Sequence, residues 1–91
     1  MPRSYEGGRT VIDDLKLMEV KYQREVERLT HDLEEMRSNL QLSEDNISSF
    51  EKYQLQTAIR NVQEKLTKAR RNLASVRIDL DRFIRIRERY N

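Results

Sequence analysis

The chain has 91 residues, 37% of them charged and 36% hydrophobic, with two glycines, one proline, no cysteine and no tryptophan. That is one small domain, of a composition suited to long helices rather than a compact globule. Disulfides are excluded and no apolar run nears the roughly 20 residues that span a bilayer, so the expected setting is a reducing one, intracellular and cytoplasmic.

The net charge of +2 conceals two opposed halves. Residues 1–49 carry seven Lys/Arg against eleven Asp/Glu, and residues 50–91 carry eleven against five. An acidic first half and a basic second half attract each other, so charge selects an orientation even though each exposed pair contributes only about 0–1 kcal/mol.

In chain order, residues 1–10 come first. Met1-Pro2-Arg3-Ser4-Tyr5-Glu6-Gly7-Gly8-Arg9 lacks the apolar centre of a secretory signal, and its glycines and proline predict a flexible lead-in. A coiled-coil module is expected over 11–91. Its first helix, about 11–45, follows from the heptad series Ile12, Leu15, Glu19, Tyr22, Val26, Leu29, Leu33, Met36, Leu40 and Ser43, eight of ten apolar. Steps of three and four residues keep such a seam on one side of a helix, where it is buried against another helix.

The phase of the series then changes. Leu42-Ser43-Glu44-Asp45-Asn46-Ile47-Ser48-Ser49-Phe50-Glu51 contains no Gly or Pro, so one unbroken helix in a parallel dimer is the alternative architecture. The residues nonetheless suit a stop and restart, with a turn over about 46–48. Asn46 tolerates the left-handed conformation that ends helices, Ile47 would contact Leu42, and Ser48 with Glu51 has the spacing of a capping box.

A second helix, about 49–89, follows from Lys52, Leu55, Ile59, Val62, Leu66, Ala69, Leu73, Val76, Leu80 and Phe83, nine of ten apolar or aromatic. Folding back about a centre between Ile47 and Ser48 pairs Ile12 with Phe83, Leu15 with Leu80, Tyr22 with Leu73, Val26 with Ala69, Leu29 with Leu66, Leu33 with Val62, Met36 with Ile59, and Leu40 with Leu55. Asp32 and Lys65 flank this seam with opposite charge, and Glu19 opposite Val76 is the misfit, expected to reach out to water. The fold expected is all-α: an antiparallel coiled-coil hairpin. A two-helix scaffold of this size gains little net stability alone, so self-association or a place in a larger helical assembly is expected.

Apolar residues outside the seam concentrate at the open end, away from the turn: Val11, Leu17, Met18 and Val20 early, Ile78, Ile84 and Ile86 late. The outward faces around the turn read as mostly polar. The partner contacts expected are Val11, Leu15, Met18, Ile84, Ile86 and Tyr90. In the closing run Arg77-Ile78-Asp79-Leu80-Asp81-Arg82-Phe83-Ile84-Arg85-Ile86-Arg87-Glu88-Arg89-Tyr90, five arginines alternate with apolar residues. Arginine suits carboxylates and phosphates, so an acidic partner or a phosphate-bearing surface is an alternative occupant; the interspersed acids weigh against nucleic acid.

Nothing in the sequence points to catalysis or to a cofactor. His31 is alone and outside the seam, no nucleophilic cysteine or phosphate loop exists, and Asp13-Asp14 and Glu34-Glu35 are adjacent pairs that diverge on a helix. An acidic helix, a Ser/Asn turn and a basic helix resemble the antiparallel fingers of Rho-effector modules, and Glu6-Gly7-Gly8 is similar to the glycine-containing start of such a finger. The order of elements also looks like short subunits of coiled-coil assemblies in trafficking and kinetochore complexes. The first resemblance implies a helical surface that reads a small GTPase, the second a structural subunit. The function expected is therefore non-enzymatic: a scaffold or adaptor acting through protein–protein contact or oligomerisation, with GTPase binding or phosphate attachment as alternatives.

Overall fold

The computed structural model describes residues 10–90; the stretch 1–9, expected to be a lead-in, and Asn91 lie outside the described residues. Two helices make up the fold, α1 over Val11–Ser43 and α2 over Ser49–Tyr90. Residues 44–48 belong to neither helix, so the unbroken-helix alternative does not hold.

Thr10 starts α1. The Asp13 N–H donates to Thr10 Oγ1 at 3.2 Å, and the Thr10 N–H donates to Asp13 Oδ2 at 3.1 Å. This reciprocal box satisfies two N–H groups that a helix start leaves without partners. Asp13 and Asp14 also place negative charge beside the positive end of the helix dipole. The sequence reading had assigned Thr10 to the lead-in, because Thr-x-x-Asp is a shorter variant of the usual Ser/Thr-x-x-Glu signal.

Regular helix ends at Ser43, two residues before the expected end. Ser43 Oγ donates to the Asn39 carbonyl at 2.6 Å, and the Asn46 N–H closes a turn onto the Ser43 carbonyl at 2.9 Å. Glu44 at the C-cap keeps right-handed angles, φ −55° and ψ −38°. The expected cover of Ile47 over Leu42 does not form, since Leu42 is 79% exposed. Restart occurs at Ser48. Its Oγ accepts from the Glu51 N–H at 3.1 Å and donates to Glu51 Oε1 at 3.2 Å, while its carbonyl accepts the first helical bond from Lys52 N–H at 3.0 Å.

The two helices run antiparallel as a hairpin. Lys52 reaches Glu44 beside the turn, and Arg77 reaches Glu19 near the far end. Both pairs of residue numbers add to 96, so residue i lies level with about residue 96 − i, within one residue of the expected register. The molecule measures 63 × 24 × 15 Å. Its long dimension is that of α2 alone, 42 residues at about 1.5 Å each. α1 has 33 residues, so the last turns of α2 run past its start.

Ile12, Leu29, Leu33, Ile59, Leu66, Ala69, Leu73, Val76 and Leu80 are buried, all of them from the two heptad series. Leu29, Leu33, Ile59, Leu66 and Ala69 form the central cluster, with Val26, Met36, Leu40 and Val62 packed against it. Tyr22 and Leu55 are half-buried. Phe83 departs from the expected core and is 40% exposed. Its level on α1 falls at Asp13, where that helix is only beginning, so no full turn of α1 covers the ring. Among the described residues no side chain is completely enclosed, because a single pair of helices shields each layer from two sides only.

Candidate interaction surface

Two of the three polar positions in the seams, Glu19 and Lys52, make polar contacts between the two arms, while the third, Ser43, bonds within its own helix. Glu19 sits at a seam position near the open end. Arg77 Nε donates to Glu19 Oε2 at 3.1 Å, and Arg77 Nη2 donates to Gln23 Oε1 at 2.8 Å. One guanidinium thus holds two α1 side chains a turn apart, so Glu19 pairs across the helices rather than reaching only to water. Lys52, the polar member of the second series, donates through Nζ to Glu44 Oε1 at 2.8 Å. The bond and the ammonium charge hold the Glu44 carboxyl below the ordinary glutamate range. α1 has no basic residue in its own last turn, so Lys52 brings the cation that its C-terminal dipole favours.

These contacts orient the open end. Arg77, Glu19 and Gln23 occupy one flank of the hairpin. Met18 lies five residues before Gln23, about 140° around α1, and Ile86 lies nine residues after Arg77, about 180° around α2. Val11 is one heptad from Met18, and Phe83 and Tyr90 are one heptad apart around Ile86. The opposite flank therefore collects Val11, Met18, Phe83, Ile86 and Tyr90, all exposed.

Of the six expected contacts, Val11, Met18, Ile86 and Tyr90 lie on this flank. Leu15 and Ile84 are half-buried. Phe83 is the member that the reading assigned elsewhere. Its periodicity marks a seam position; only the unequal helix lengths expose it. Leu17, Val20 and Ile78 are exposed on the outer sides of their helices. The turn end is less polar than expected, with Leu42, Phe50 and Tyr53 exposed there. Leu42, Phe50 and Tyr53 fall outside both heptad series, and the reading by series passed over them.

Charged residues complete the surface. Arg85 pairs with Asp81 at 3.2 Å along α2, whereas Arg82, Arg87 and Arg89 have no ion pair among the described residues. Asp32 pairs with Arg28 on its own helix at 3.5 Å rather than across with Lys65. His31 lies 3.5 Å from Glu35, both well exposed. Among the described residues no three His, Cys, Asp or Glu side chains stand together as a metal site, and no helix is long and apolar enough to cross a membrane. The chain has no significant match among protein-family profiles, curated proteins or solved structures.

Proposed function

We propose that this chain is a non-enzymatic assembly module: a rigid helical hairpin that joins another protein through the apolar flank of its open end. The supporting observation is the collection of Val11, Met18, Phe83, Ile86 and Tyr90 on one flank, at the end away from the turn. Five large exposed apolar side chains from two helices gather toward one end, and apolar patches on small domains mark contact surfaces. The aromatic members add broad contact area at low cost in side-chain freedom. Adaptor or scaffold is the role that follows, since the hairpin offers a long stiff body and a sticky pole.

The test is site-specific crosslinking in the source cells. A photoreactive residue at position 86 should form protein adducts that disappear when Met18→Asp is added. Position 50, on the outer side of the turn end, should form few. Equal labelling from both positions, or no adducts at 86, sinks this reading.

A second reading rests on Arg82, Arg87 and Arg89, exposed near the end of α2 and without an ion pair among the described residues. Those guanidiniums suit attachment to a phosphate-bearing surface. Attachment of that kind weakens steeply with added salt. Binding to anionic vesicles that is unchanged between 50 and 300 mM salt, or no binding at all, removes it.

A further inference from the structure

We propose that the occupant of the open-end flank is a second copy of this chain, seated about a two-fold axis parallel to the hairpin's long dimension. The result is a four-helix bundle with both turns at one pole and both open ends at the other. This rests on the proposed contact surface and names what covers it.

Area comes first. The five flank side chains expose on the order of 400–500 Å² together, most of it on aromatic and branched groups. A stable interface buries about 800 Å² per partner, with an apolar centre and a polar rim. The patch is large enough to be that centre, and the rest must come from residues farther along the same flank.

Charge identifies those residues and selects the axis. Continuing by heptads from Val11 and Met18, the α1 flank carries Glu25 and Asp32; going back from Ile86, the α2 flank carries Asp79, Asn72 and Lys65. Glu25, Asp32, Asn72 and Asp79 are half-buried, as positions bordering a seam are. Over its whole length α1 has five Lys/Arg against eight Asp/Glu, and α2 has eleven against five. Two copies meeting flank to flank have two symmetric choices. An axis across the helices lays α1 on α1 and α2 on α2, like charge on like. An axis along the helices lays α1 of one copy over α2 of the other.

The lengthwise axis also keeps residues at their own height. Val11 is level with Arg85, so it meets the Phe83–Ile86 turn of the second copy. Asp32 is level with Glu64, beside Lys65 of the second copy. Among the described residues of its own hairpin Lys65 has no ion pair, and the ion pair of Asp32 is with Arg28, at 3.5 Å. Val11 therefore meets apolar residues at the open end and Asp32 meets Lys65 toward the middle, while between them Met18 stands beside Asp79 and Glu25 beside Asn72. With the crosswise axis at mid-molecule, the apolar ends would instead face polar stretches.

Sedimentation equilibrium of the full purified chain gives the first readout. At about 100 μM the mass should be twice the 11.0 kDa of one chain. Met18→Asp with Ile86→Asp should weaken association at least about tenfold with helical circular dichroism retained. Tyr90→Asp, on the projecting turns of α2, should act in the same direction without touching the hairpin core. Phe50→Asp should leave the mass unchanged.

Spin labels settle the axis, and the absence of native cysteine makes single labels clean. Asn46→Cys and Glu88→Cys, labelled separately, should each show a distance between copies of about 20–35 Å, a few helix diameters. A wild-type monomer at 100 μM overturns the proposal. So does a dimer whose Asn46 labels lie about 60 Å or more apart. If the pure chain is monomeric while position 86 still crosslinks other proteins in cells, the second copy is wrong and the contact surface stands. If neither occurs, both fall.

Discussion

Glu19 and Lys52 show how a polar residue at an apolar seam position serves the pair of helices. Each breaks its series, and each is held from outside its own helix, Glu19 by Arg77 of α2 and Lys52 by Glu44 at the start of the turn. Their groups are partly exposed, so screening keeps the contribution small. Arg77→Ala should lower unfolding free energy by about 0.5–1 kcal/mol, and a double-mutant cycle with Glu19→Ala should give a coupling that shrinks in high salt. Glu44 carries a pH signature. Its folded pKa is depressed, first by the Lys52 hydrogen bond and then by the Lys52 charge. The contribution is therefore complete above the ordinary glutamate pKa and is lost as pH falls through the depressed folded value. Carboxyl NMR titration should show Glu44 titrating below the ordinary glutamate range, and Lys52→Met should return it to that range.

At the scale of elements, the contrast between Leu66 and Phe83 separates pattern from position. Both occupy the same kind of heptad slot, yet Leu66 is 4% exposed and Phe83 is 40%. Leu66→Ala should cost about 2–4 kcal/mol in chemical denaturation, because the central layers cannot collapse into the gap. Phe83→Ala should cost under about 1.5 kcal/mol and act mainly on association. Equal losses at the two positions would mean that Phe83 is packed within the hairpin after all. The existence of two helices and their buried sides were legible from periodicity, and Ser48 with Glu51 was legible as the restart. The end of α1 was not. Several residues from Leu42 to Asn46 suit a helix end equally well, and the choice fell to the Asn46–Ser43 backbone bond and to the reach of Lys52.

Over the whole molecule, the unequal helices define the pole at which contact is proposed. α2 outruns α1, and the seam that would continue past Val11 emerges from the pair as exposed surface. Val11, Met18 and Ile86 were legible as surplus apolar residues, because they sit outside the heptad frame, whereas Tyr90 lies one heptad beyond Phe83. Leu15 and Ile84 are half-buried and Phe83, expected in the core, is 40% exposed, since frame alone does not say where the partner helix stops. The flank shared by Val11, Met18, Phe83, Ile86 and Tyr90 needed the Arg77 contacts to orient one helix against the other.

Local information was enough for the helical class, the two buried stripes, the restart at Ser48 and the opposed charge of the two arms. These depend on spacing along the chain and on propensities that act within a turn or two. The polar ties of Glu19 and Lys52 and the uncovering of Phe83 were decided only in the folded hairpin. Each of them depends on how the two arms come together, and a side chain's exposure is set by what the other helix places at its height.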